Sequence, residues 1–286
     1  MKSISAALLA VLITGNVPSA VADTAAVKAA CSPDKSPTIK AIKDRGELRW
    51  AVGIAAPFAA KDASGAYVGT EPENAKDFAD LLEVKLEIRD YSYDLLPPTV
   101  ASGNADIVGA ALYITDKRKE AIDFSEPYQR EGQIFVTLAT QTALNSIADL
   151  NKAEIRAVGN IGSGQVELTK KLLPNAVLAT ADLANPGIQA QFLISRQADV
   201  MMTDGSSVPI LKKAAGGVEM KMIGPKGVVA GDVPIGDELI EPFDIGFGIA
   251  KGDPGFLACV NAFVQDLNDS GRFRDRYVAW AKKLAE

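Results

Sequence analysis

Strand and helix alternate along this chain twice over, and that rhythm restricts what it can fold into. Glu47 to Ile54 reads as a strand of alternating and then apolar residues, Glu73 to Leu82 has helical spacing, and Lys85 to Tyr91 alternates as a second strand. Tyr93 to Ala101 reads as a helix entered through Pro97-Pro98, and the apolar run Ile107 to Leu112 as a buried strand. The pattern then starts again with strands at Gln133 to Ala139, Ile155 to Asn160, Val177 to Ala179 and Ala198 to Thr203, with helices between them. Such alternation implies the α/β class, with mostly parallel sheets covered by helices. Two units of similar size imply two Rossmann-like lobes.

The C-terminal part decides how the lobes connect. After a Pro- and Gly-rich stretch from Gly224 to Pro242, Ile245 to Lys251 reads as a strand, and Asp253-Pro254 opens a helix to about Leu267. Gly271 separates that helix from a last one ending near Leu284. One strand and two helices are too little for a third domain, so they are expected to complete the first lobe. That assigns residues 38–131 and 244–286 to lobe 1 and 132–243 to lobe 2, with two crossing segments near Gln129 to Gly132 and Glu241 to Asp244 serving as a two-segment hinge.

Lys2, the apolar run Ala6 to Ile13 and the small residues Ala20-Val21-Ala22 match a cleavable secretory signal over residues 1–22. The apolar run is too short to span a bilayer, and Lys28-Ala29-Ala30 before Cys31 lacks the apolar residue of a lipidation site. A net charge of −6, with no strongly basic stretch, argues against nucleic acid as a partner. The chain has no His and two Cys, which excludes the common zinc and Cys-His nucleophile arrangements; no metal or cofactor is expected. In an oxidising compartment Cys31 and Cys259 would pair. The alternative makes Cys259 a small buried apolar residue and leaves Cys31 in a mobile tail, since Asp23 to Pro37, rich in Ala, Ser, Pro and Lys, reads as a flexible N-terminal extension.

Most of the candidate chemistry converges on Asp106 to Tyr128. Thr115 followed by Asp116, Lys117 and Arg118 reads as the capped start of a short helix, placing Arg118 in a first turn beside a strand end, where exposed N–H groups favour a carboxylate. Local sequence alone equally allows a surface Arg paired with Asp116 or Glu120.

The order of motifs resembles the amino-acid-binding family of periplasmic solute-binding proteins, the extracytoplasmic part of ABC importers. The resemblance rests on Ile42-Lys43-Asp44-Arg45-Gly46-Glu47-Leu48, Ala56-Pro57-Phe58 with Lys61-Asp62-Ala63-Ser64-Gly65, and Ile114-Thr115-Asp116-Lys117-Arg118 with Asp123-Phe124-Ser125-Glu126-Pro127-Tyr128. It continues through Ser146-Ile147-Ala148-Asp149-Leu150 and Gly248-Ile249-Ala250-Lys251-Gly252-Asp253. It implies a type II periplasmic binding fold, a clamp whose ligand lies between the lobes and is delivered to an inner-membrane ABC permease by a periplasmic monomer. Arg118 would then hold a ligand carboxylate, with Gly162 and Ser163 of the turn Gly162-Ser163-Gly164 offering N–H groups and a hydroxyl to it. Asp204 would hold an ammonium and Tyr93 pack on the ligand side chain. The otherwise bland roles are N-capping for Ser163 and Asp204 and core packing for Tyr93.

Departures from the family pattern bear on the ligand. Ala110-Ala111-Leu112-Tyr113 stands where small hydroxyl residues are usual, so Ala110 and Ala111 would contribute backbone groups only, and Tyr113 is much bulkier than Ser or Thr. Ala55 replaces a common aromatic, and Thr70-Glu71 a common Phe-Asp. Two other readings remain open on the same fold. One is a periplasmic dehydratase acting on arogenate or prephenate, using Arg118, Asp204 and Glu167. The other is an accessory or signalling protein without a transport role.

Overall fold

The computed structural model describes residues 25–183, 185–231 and 236–286; the signal-sequence reading of residues 1–22 lies outside the described residues. Among these, no helix is long and apolar enough to cross a membrane.

The N-terminal part is ordered where the sequence suggests flexibility. Helix α1 (Ala25–Ala30) buries Val27 and delivers Cys31 to Cys259, the two joined by a disulfide with Cα atoms 4.6 Å apart. Ser36 then caps α2 (Pro37–Arg45) by accepting from the Ile39 N–H, and its hydroxyl donates to Asp253 at 2.6 Å. The flexible extension over residues 23–37 is thus corrected for its described part, 25–37. The bridge and the Asp253 carboxylate supply the fixed partners that its composition lacks.

The first sheet is built on β1 (Glu47–Val52), after a small hairpin of β2 (Ala60–Lys61) and β3 (Tyr67–Val68) and the helix α3 (Thr70–Leu81). Strand β4 (Lys85–Asp90) pairs parallel with β1 on one side. After α4 (Leu96–Ala101), β5 (Ile107–Val108) pairs parallel on the other. The helix α5 (Asp116–Lys119) and strand β6 (Asp123–Phe124) lead into β7 (Gln129–Leu138), a ten-residue strand that starts at the lobe boundary and runs into the second sheet.

The second sheet takes β8 (Arg156–Asn160), β9 (Val177–Ala181), β10 (Val200–Asp204), β11 (Met220–Gly224) and β12 (Gly227–Val229), in the order β12-β11-β7-β10-β8-β9. The helices α6 (Ile147–Leu150), α7 (Gly164–Leu172), α8 (Pro186–Ile194) and α9 (Val208–Ala214) lie between its strands in sequence. Strand β13 (Ile240–Ile245) pairs antiparallel beside the start of β7, matching Phe243 to Glu131 and Asp244 to Arg130. Strand β14 (Gly248–Ile249) then inserts between β5 and β6 of the first sheet, and α10 (Pro254–Asp269) and α11 (Arg272–Ala285) close the chain.

Both sheets are mixed, more so than the alternation predicts. Strand β7 is antiparallel to β10, β11 and β13, and β14 is antiparallel to both neighbours. These are the strands on either side of the crossings, and a chain that leaves one lobe and returns to it brings them in against the parallel set. Apolar burial is separate in each lobe. In the first, Trp50, Phe78, Phe247, Phe256 and Phe263 are fully buried and meet largely edge to face, as Trp50 and Phe247 do at 5.2 Å. In the second, alternate residues of β7 and β10 face opposite sides: Val136 and Met201 enter one core, Phe135 and Met202 the other.

The predicted strand over Ile107 to Leu112 ends after two residues, and that break shapes the cleft. Gly109 lies so close to Trp50 that a Cβ would stand 2.2 Å from the ring, and Ala111 adopts a positive φ of 47°. The backbone therefore leaves the sheet at Gly109 and carries residues 110–113 towards the second lobe.

Candidate functional site

Thr115 caps α5, its hydroxyl accepting from the Arg118 N–H at 3.3 Å, and so holds the Arg118 backbone at the lobe edge. The guanidinium turns inward. Nη1 donates to the Tyr113 carbonyl at 2.8 Å and Nη2 to the Gly162 carbonyl of the opposite lobe at 3.0 Å. Among the described residues it makes no ion pair with Asp116 or Glu120. Burial lowers Arg118 to about 10, so it remains cationic at neutral pH.

Gly162 needs its glycine, because a Cβ there would meet the Asp94 backbone of the first lobe at 2.2 Å. Ser163, next to it, stands at the N-cap of α7 without capping it: its hydroxyl is buried and has no hydrogen-bond partner among the described residues. A buried hydroxyl without a partner costs about 1–3 kcal/mol, which a bound polar ligand would recover.

Asp204, at the end of β10, is buried and makes no cap bond to the turn that follows. Its Oδ1 accepts from the Tyr113 phenol of the first lobe, from Gln133 Nε2 at 2.8 Å and more distantly from Gln165 Nε2 at 3.4 Å. Burial raises the pKa of Asp204. Glu131 at the start of β7 is raised as well, by burial first and by the neighbouring Asp204 charge second. The lobes also meet where Ser207 Oγ donates to the Ala56 carbonyl at 2.7 Å. Together with the Arg118 and Tyr113 contacts, these bonds draw the two lobes around a cavity of about 60 Å³.

Arg118, Tyr93, Ala111, Tyr113, Ser163 and Asp204 all line that cavity. Gly162 touches it only through the Arg118 contact. Ala110 does not reach it: the residue is fully buried and its carbonyl accepts from the Tyr93 hydroxyl at 2.8 Å. Tyr93 therefore also holds the 110–113 segment in place. Glu167, the third residue of the dehydratase reading, is exposed, pairs with Lys170 at 3.1 Å, and faces an open groove outside the Arg118–Gly162 contact rather than the cavity. The sequence reading missed Gln133, Gln165 and Ser207. Gln133 left a trace, as a lone amide heading the apolar run Ile-Phe-Val.

Glu71 was also passed over as a working residue. It is fully buried under the binding segment, where Oε1 accepts from the Tyr128 hydroxyl and, at 3.4 Å, from the Ala111 N–H. Oε2 has no partner among the described residues. Burial raises this carboxyl from 4.5 to about 7. Because the folded value lies above the unfolded one, its contribution to stability is intact below pH 4.5 and lost as pH rises through 7. Glu71→Gln is expected to be more stable than the parent at pH 8, by up to about 3 kcal/mol, and to lose that advantage near pH 4. Urea unfolding of both proteins across this range measures it; a difference independent of pH would show that ionisation of Glu71 is not the cause.

Comparison with known proteins places this geometry. The family model "Bacterial extracellular solute-binding proteins, family 3" matches residues 48–283. A probable histidine-binding protein of Neisseria gonorrhoeae is 25% identical over 230 residues, 80% of each chain. A cyclohexadienyl dehydratase of Pseudomonas aeruginosa is 28% identical over 244 residues, 84% of each chain. Among solved structures, an amino acid ABC transporter substrate-binding protein of Streptococcus pneumoniae bound to L-arginine superposes with a TM-score of 0.71 at 26% identity, covering 86% of this chain and 99% of that one. The two-lobe α/β architecture is the type II periplasmic binding fold of these neighbours. With the family model running from the first strand to the last helix, the chain belongs to the bacterial extracellular solute-binding proteins, family 3.

Proposed function

We propose that the protein binds an amino acid or related small carboxylate between its lobes, outside the cytoplasm, and delivers it to an ABC permease. The observation that carries this reading is the meeting, at a single cavity, of Arg118 from one lobe with the Ser163 hydroxyl of the other, which has no partner among the described residues. A desolvated guanidinium and a free hydroxyl at the start of a nine-residue helix together form a carboxylate receptor. Ligand contacts made only when both lobes touch it favour the closed form. Strands β7 and β13, which cross side by side, would serve as the hinge.

The dehydratase relative supports a second reading, elimination on the same fold. The geometry favours binding, because Asp204 is held by a phenol and two amides and Glu167 is outside the cavity. A thermal-shift screen of amino acids and organic acids, followed by calorimetry on any hit, tests the proposal: a ligand at a hundred times its Kd adds about 2.7 kcal/mol to stability. Prephenate incubated with the protein is expected to remain unchanged. Silence across the screen removes the binding reading, and appearance of phenylpyruvate replaces it with the enzymatic one.

A further inference from the structure

Tyr113 touches both charged groups of the cleft. Its carbonyl accepts from Arg118 Nη1, and its phenol, reaching across to the second lobe, donates to Asp204. The direction of that last bond follows from the neighbours. Gln133 Nε2 at 2.7 Å and Gln165 Nε2 at 2.9 Å both donate to the phenolic oxygen, so its single proton is left for the carboxylate. Asp204 is the one carboxylate among the described residues lining the cavity, hence the one group there able to neutralise a ligand ammonium.

The phenol is built in rather than draped over the site. Its ring stacks on Phe243 with centroids 4.6 Å apart and planes within 6°, and Tyr113 is only 4% exposed. The backbone bridges antiparallel to Ile245, and a Cβ on Gly164 would meet the ring at 2.5 Å. Swinging the side chain out would expose the ring, break the stack and separate the lobes. The remaining polar lining, including Asn160, Ser163, Gln165 and Gln189, is neutral and offers hydrogen bonds rather than charge.

Resting on the carboxylate-binding reading above, we infer that Tyr113 sets the ligand class. Its phenol fills the place beside Asp204 that an α-ammonium would require, so the clamp takes small carboxylates with an uncharged oxygen at C2, of the 2-hydroxy or 2-oxo acid kind, in preference to amino acids. Arg118 and Ser163 receive the carboxylate of such a ligand, and the amides of Asn160 and Gln189, which line the same cavity, offer N–H donors to the C2 oxygen. An amino acid would have to bring its ammonium to a carboxylate whose Oδ1 already accepts from three neutral donors, or displace the stacked ring. Solvation lost by the ammonium would then be compensated only in part.

Calorimetry at pH 7 with matched sets that share a side chain tests this: L-alanine, L-lactate and pyruvate, and L-leucine with its 2-hydroxy and 2-oxo counterparts. The parent protein, Tyr113→Phe and Tyr113→Ser are compared, with melting temperatures confirming that each folds. The parent is expected to bind a hydroxy or oxo acid at least tenfold more tightly than the matching amino acid. Tyr113→Ser, which frees Asp204, should reduce or invert that preference by tenfold or more, and Tyr113→Phe, which keeps the ring and removes the hydroxyl, should move it the same way. A parent protein that prefers the amino acid in every set overturns the inference while leaving the carboxylate reading standing. A preference for oxygen acids that neither variant changes removes Tyr113 as its source. Absence of binding to any member by all three proteins takes down the carboxylate reading and the inference with it.

Discussion

Replacing Arg118 with Ala is expected to abolish measurable calorimetric binding of whatever carboxylate the parent protein takes. Two effects add. The ligand loses a charge-assisted bond made away from water, and truncating one partner of such a pair costs about 2–5 kcal/mol, roughly 30- to 5,000-fold in Kd. The variant also loses the bridge from Nη2 to the Gly162 carbonyl, one of the bonds that draws the second lobe onto the first. Arg118→Lys separates the two contributions. It keeps the charge but not the planar fork, so it should bind with intermediate affinity, weakened chiefly in orientation. Melting temperature in the absence of ligand checks that the variants fold. Arg118 contributes little to the lobe core, so only a small change is expected. Affinity within twofold of the parent for Arg118→Ala would remove this residue from the site.

The disulfide carries the second large effect. Cys31 and Cys259 are separated by 228 residues, so the bridge constrains nearly the whole unfolded chain. Loop-closure entropy for such a span corresponds to about 5 kcal/mol, and removal of native bridges typically costs about 2–5 kcal/mol. Cys31→Ser is the informative variant, because it leaves Cys259 as a buried thiol in α10, where a small apolar group is well tolerated. Urea unfolding should show a lower midpoint than the parent, and reduction of the parent should reproduce the shift. Proteolysis is also expected to reach α1 first, since Val27 and Cys31 are the buried residues that tie the segment Ala25 to Cys31 to the lobe. An unchanged midpoint would mean that burial of Val27 and the bonds of Ser36 and Thr38 to Asp253 hold the N-terminal segment without the bridge.

The local signals in the sequence were informative where a short-range mechanism stands behind them. Asp253-Pro254 opens a helix because an Asp side chain accepts from the Phe256 N–H and a Pro at the first position has no N–H to lose. Thr115 caps α5 for the same reason, and that cap is what places Arg118 at the lobe edge. The alternation of strand and helix implied two α/β lobes, and the structure has them. Strand ends were read less well. The apolar run Ile107 to Leu112 satisfies every rule for a buried strand, yet the strand ends at Val108: the Gly109 N–H still donates to the Ala51 carbonyl, but the Gly109 carbonyl accepts from the indole of Trp50, fifty-nine residues away and invisible to any local pattern, and Ala111 turns to a positive φ. Likewise β7 begins four residues before the apolar signal at Gln133, because β13 supplies a partner for Gln129 to Glu131 from the far end of the chain.

What the sequence determined by itself was chemistry of composition and order. It set a chain without histidine, two cysteines in places an oxidising compartment can join, and an arginine behind a threonine cap at the end of a strand. What only the tertiary structure decided was how those groups are occupied. Whether Arg118 pairs with a neighbouring surface acid or reaches across the cleft is decided by the second lobe, which offers it the Gly162 carbonyl. Tyr113 reads as a bulky departure until its ring is seen lying on Phe243 with the phenol on Asp204. Both outcomes depend on residues 44 and 91 positions apart in the chain, and contacts of that separation follow from how two lobes close on each other, which no local periodicity encodes.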